Sequence, residues 1–101
     1  MTMPRSGEVW RRGDVDALVV VLSNDLYHQA GSYLICAPVF RGDPGDHHPA
    51  VIPLTSPVAG HLIPAFVAGI PQSALRERLG IADPGAVARA VNVITAALAA
   101  G

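Results

Sequence analysis

Over its first two thirds the chain sets short apolar blocks between polar turns; its last sixth settles into helical spacing. Glu8 to Arg12 reads as a short first strand anchored by Val9 and Trp10, with Gly13-Asp14 as the turn behind it. Ala17 to Leu22 is a continuous run rich in β-branched residues, the pattern of a strand buried on both faces. Ser23-Asn24-Asp25 ends it with turn chemistry. Tyr33 to Phe40, Ala50 to Leu54 and His61 to Phe66 read as three further strands, holding Pro38, Pro53 and Pro64. Proline has no N–H to give a ladder, so these strands belong at edges or bulges, as in a bent, partly open barrel. Ser73 is a cap for a short helix over Ala74 to Leu79, which Gly80 ends. Asp83-Pro84 opens a long helix to Ala100, with Val87, Val91, Ile94 and Leu98 as its apolar stripe. The expected fold is mainly β with a C-terminal α-helix: a small barrel of five or so strands plus one short and one long helix.

Composition narrows the class. A length of 101 residues fits a single domain over 1–101, and 50% hydrophobic against 15% charged residues excludes a disordered chain. The apolar runs are strand-sized, and Met1 to Gly7 has no apolar signal core, so a cytoplasmic protein without a membrane span is expected. The one cysteine, Cys36, has no partner for an internal disulfide. All seven basic residues are arginines, against eight acids, for a net charge of −1. Nucleic-acid affinity from a general basic field is therefore excluded; only a local arginine cluster can supply it.

Several phrases, in order, resemble the MazF/PemK and CcdB toxin superfamily. Gly7-Glu8-Val9-Trp10 resembles the family's opening strand, Leu18 to Asp25 its second strand and turn, and Leu34 to Val39 its third. Gly69 to Leu75 and the terminal helix are closer to the CcdB side. The resemblance implies an SH3-like barrel of CcdB/PemK type, a homodimer, and the toxin of a type II toxin–antitoxin pair that a disordered segment of a cognate antitoxin binds. In the MazF/PemK branch it implies metal-independent endoribonuclease cleavage of single-stranded RNA (an mRNA interferase). Three departures stand out. Ala17-Leu18 occupies the usual Arg-Pro position, Phe40 the usual Ser/Thr position, and the loop after the first strand has shrunk to the residues around Gly13-Asp14. The end, Leu98-Ala-Ala-Gly101, lacks the Trp-Gly-Ile of gyrase poisons. The alternatives are a catalytically inactive relative that keeps antitoxin binding, and a CcdB-like gyrase inhibitor.

Cleavage through the 2′-hydroxyl needs a base, an acid and a cation for the crowded phosphate. Arg41 is the leading cation, with Arg12 as a second catalytic candidate, whether or not barrel closure brings the two together, and His47 as the acid–base candidate; His28 and His48 are alternatives. Arg11, Arg12, Trp10 and Phe40 are the RNA-binding candidates, the two aromatics by stacking on bases. Solvated strand-end charges and core aromatics are the competing readings. Asp43, Asp46, His47 and His48 lack the spacing of a metal site, so no metal and no cofactor are expected. Thr55-Ser56 reads as a turn and Cys36 as a buried small side chain. The alanines at 96, 97, 99 and 100 and the strand edges are candidate dimer surfaces.

Overall fold

The computed structural model describes residues 3–24, 31–42 and 51–99. Among the described residues the strands are β1 (Glu8–Arg12), β2 (Leu18–Val21), β3 (Tyr33–Phe40), β4 (Ile52–Leu54), β5 (Gly60–Leu62), β6 (Ala68–Pro71) and β7 (Leu75–Ile81), followed by the helix α1 (Pro84–Ala99). They form a single sheet in the order β4-β5-β3-β2-β1-β7, with β6 also paired to β3. The mainly β architecture with a C-terminal helix is the expected one.

Strand β2 explains why the sheet has two cores. Its four residues are all buried, and alternation sends Leu18 and Val20 to one face and Val19 and Val21 to the other. On the first face they join Val9, Ala37, Val39, Ile52 and Leu62 beneath Ala86 and Ala90 of the helix. On the second, Trp10, Leu34, Cys36, Ile70 and Leu75 pack within the curl of the sheet.

Pro38 lies in the centre of the sheet, where a missing N–H would ordinarily break a ladder. Its carbonyl accepts the Ile63 N–H at 3.1 Å, and a strand residue's N and O face the same flank. On that flank β6 pairs as far as Cys36 and β5 begins at Val39, so the proline ring falls between two partners. Pro53 lies on the edge strand β4, as proline should.

Two expectations about secondary structure are corrected. Ala74 to Leu79 is not a helix: a 3₁₀ turn over Gln72–Ala74 leads into β7, which pairs antiparallel with β1. The local signal of Ser73, Leu79 and Gly80 is overridden by pairing that buries Leu75 and sets Glu77 and Arg78 beside β1 partners. The bulge between Val9 and Trp10 uses Gly80 at φ 151°, a conformation side chains rarely adopt. The expected strand His61 to Phe66 ends at Leu62, with a 3₁₀ turn over Pro64–Phe66, and β6 was not anticipated.

The helix begins where the sequence indicates. Asp83 Oδ1 accepts the Gly85 N–H at 3.0 Å, with Pro84 in the first turn. Its stripe differs from the expected one. Ala86 and Ala90 are the buried positions, Val87 packs partly, Val91 is exposed and Leu98 is 82% exposed. Small side chains let the helix sit close against β4 and the Pro64–Phe66 turn, which rotates Leu98 outward.

Candidate functional site

The start of β2 and the end of β3 are held side by side by the Leu18–Val39 pairing. Between them opens a cleft of about 340 Å³ lined by Asp16, Ala17, Leu18, Phe40, Arg41 and Gly42, among others. The three positions at which the sequence departs from the toxin pattern, Ala17, Leu18 and Phe40, thus share one wall system with Arg41. Phe40 is exposed, and Arg41 forms no ion pair or side-chain hydrogen bond with another described residue.

Strand β5 props up the β3 end of this cleft. Phe40 pairs directly with His61, whose Nδ1 lies 3.0 Å from the Gly42 carbonyl oxygen. A carbonyl only accepts, so in this contact Nδ1 carries the proton. Gly60 makes the approach possible: a Cβ there would fall 2.6 Å from the Phe40 carbonyl oxygen.

Arg12, Arg11 and Trp10 are engaged elsewhere and are not among the described residues that line the cleft. Arg12 donates from Nε to Asp14 Oδ1 at 2.9 Å and from Nη2 to Asp14 Oδ2. Those hydrogen bonds push the Arg12 pKa up and hold the Asp14 carboxyl below its ordinary value. Arg11 pairs with Glu77 of β7 at 3.0 Å. Trp10 is buried in the second core, its Nε1–H donating to Glu8 Oε1 at 3.1 Å. His47, with His28 and His48, lies outside the described residues. Burial pushes the Cys36 thiol up to about 12, in keeping with an inert core residue.

Sequence reasoning passed over Asp16 and His61. Asp16 lies two residues before β2, whose first residue, Leu18, lines the cleft. Nothing local marked His61; its relation to Gly42 depends on β3–β5 register. Among the described residues no group of three or more His, Cys, Asp or Glu side chains could hold a metal ion, and no helix is long and apolar enough to cross a membrane.

A family model described as type II toxin–antitoxin system toxin Rv0299 matches residues 7–97. The chain belongs to this toxin family. A search of curated proteins gives no match. The toxin is similar in structure to a MazE–MazF complex from Deinococcus radiodurans, with TM-score 0.84 and 18% identity over 97% of this chain and 98% of that one. It is also similar to an endoribonuclease from mycobacterial species, with TM-score 0.81 and 17% identity over 97% and 93%. A third similar structure is an endoribonuclease in complex with its cognate antitoxin, from mycobacterial species, with TM-score 0.81 and 16% identity over 97% of each chain. At these identities the likeness establishes that the toxin shares their fold.

Proposed function

We propose that the toxin is a metal-independent endoribonuclease that cuts single-stranded RNA in the cleft between β2 and β3. The observation that carries this reading is the presence of an exposed aromatic ring, an arginine without an ion pair among the described residues, and a carboxylate in one cleft. The Arg41 guanidinium holds the scissile phosphate and stabilises its growing charge. Phe40 stacks on a base. Asp16 takes the proton of the 2′-hydroxyl as its oxygen bonds to phosphorus. The P–O5′ bond breaks, His47 gives the leaving oxygen a proton, and the products are a 2′,3′-cyclic phosphate and a 5′-hydroxyl. Arg12, with Arg11 and Trp10, contributes to RNA binding only if substrate displaces its present partner.

Similarity to a MazE–MazF structure and to an endoribonuclease bound to its cognate antitoxin supports a cognate antitoxin as partner; a homodimer as working form and the cytoplasm as its place belong to the same proposal. A second reading, a non-cleaving relative that keeps antitoxin binding, is favoured by the apolar Ala17, Leu18 and Phe40. Incubating antitoxin-free protein with single-stranded RNA in the presence of a chelator decides between them. The expected result is cleavage that falls roughly 10²–10³-fold in Arg41→Ala. Intact RNA under wild-type protein overturns the nuclease reading in favour of the second.

A further inference from the structure

Of the arginines in β1 and β7, three are neutralised in pairs: Arg11 with Glu77, Arg12 with Asp14 and Arg78 with Glu8. Arg76 is the exception. It forms no ion pair or side-chain hydrogen bond with another described residue, and it lines a second cavity of about 620 Å³. The other walls are Ser32, Gln72 and Ser73, which are neutral hydrogen-bonding groups, and the apolar Pro71 and Leu75.

The guanidinium is seated. Gly13 N–H donates to the Ala74 carbonyl at 2.8 Å, pinning the turn after β1 to the start of β7. Arg76 lies across that glycine: a Cβ on Gly13 would fall 2.8 Å from Arg76 Nε and 3.0 Å from Nη2. The same turn, a few residues on, supplies Asp16 and Ala17 to the cleft of Arg41. Two arginines without an ion pair to another described residue therefore flank one short turn, each in its own cavity.

We infer that Arg76 is a second phosphate-binding site for single-stranded RNA, engaging a backbone phosphate of the strand whose scissile phosphate sits at Arg41. This rests on the RNA reading proposed above. An arginine fork matches phosphate oxygens, and Ser32, Gln72 and Ser73 offer neutral partners to ribose hydroxyls. With a net charge of −1 the toxin has no general field to hold a polyanion, so affinity comes from such local cations. The site makes RNA length a determinant of affinity: a fragment filling only the first cleft does not reach Arg76.

The test is fluorescence anisotropy with an uncleavable 2′-O-methyl RNA dodecamer and a trinucleotide, over a range of salt, alongside a cleavage assay. For the dodecamer, Arg76→Ala and Arg41→Ala are each expected to reduce the steepness of log K against log salt by about 0.7, and the double variant by about 1.4. Trinucleotide binding should fall in Arg41→Ala only. Gly13→Ala, which displaces the flexible guanidinium rather than backbone, should weaken dodecamer binding with little change in melting temperature. An unchanged dodecamer affinity and salt slope in Arg76→Ala overturns the inference. So does wild-type protein that binds no RNA, including the case where it binds an Asp/Glu-rich peptide through Arg76 instead. Arg76-dependent RNA binding without any cleavage leaves this site standing and overturns the nuclease reading alone.

Discussion

Replacing Glu8 should show what holds the toxin closed. Its carboxylate is buried and accepts from the Arg5 backbone N–H at 2.8 Å, from Trp10 Nε1–H at 3.1 Å and from Arg78 Nε–H at 2.6 Å. In Glu8→Ala the three donors do not suffer equally. Arg78 has a side chain 43% exposed and turns to water, so its loss counts for little. The Arg5 N–H is also at an exposed residue. Trp10 is only 7% exposed, and its N–H is stranded at a cost of about 1–3 kcal/mol. With the lost packing, Glu8→Ala should cost about 3 kcal/mol, a large share of the roughly 5–15 kcal/mol of an ordinary domain. Glu8→Gln keeps an acceptor for Trp10 and should cost about half as much. Arg78→Ala should cost under about 1 kcal/mol. Burial pushes the Glu8 pKa up, but the Arg5, Arg78 and Trp10 hydrogen bonds outweigh it and leave the pKa below its ordinary 4.5. A folded-state pKa below the unfolded one means stability that is fully present above pH 4.5 and lost as pH falls through the folded value. Urea denaturation at neutral pH and on the acid side measures both effects, and the acid-side loss should be smaller in Glu8→Gln. The reasoning is refuted if Arg78→Ala costs as much as Glu8→Ala, or if Glu8→Ala costs less than about 1 kcal/mol.

Other substitutions probe the cleft and the core. Gly60→Ala would put a Cβ 2.6 Å from the Phe40 carbonyl oxygen and 3.1 Å from Val39 Cγ1, so β3 must shift; a loss of about 1–3 kcal/mol is expected in urea denaturation, with reduced RNA cleavage. Wild-type stability in that variant would show that the strands do not meet as described. Cys36, its thiol pushed up to about 12, should resist iodoacetamide at mildly alkaline pH until urea unfolds the chain. Equal alkylation rates with and without urea would contradict its burial.

The sequence was legible where local pattern and tertiary environment agree. The unbroken apolar run of β2 announces burial on both faces, and Asp83-Pro84 announces a helix start. It was illegible where a distant partner decides. Leu75 to Ile81 carries strong helix formers, yet β1 takes it as a strand because Leu75 fills the core around Trp10 and Glu77 and Arg78 meet Arg11 and Glu8. The helix stripe was misread because bulky residues were taken as the buried face, whereas close approach selects Ala86 and Ala90. At the candidate site the same division holds. Phe40 and Arg41 follow each other in sequence and were found together. Asp16 and His61 meet that corner only through the pairing of β3 with β2 and β5.

The antiparallel match of β1 with β7 also governs when this poison becomes a protein. A ribosome threads out β1, β2 and β3 long before it makes the strand that lies along β1, from Leu75 to Ile81. Until then Glu8 waits without Arg78, and the chamber around Trp10 lacks Leu75. Such long-range closure is slow and cannot begin locally. A message broken or abandoned upstream of Leu75 therefore yields an open remnant exposed to proteases, and the cell meets the closed toxin only once β7 has been translated.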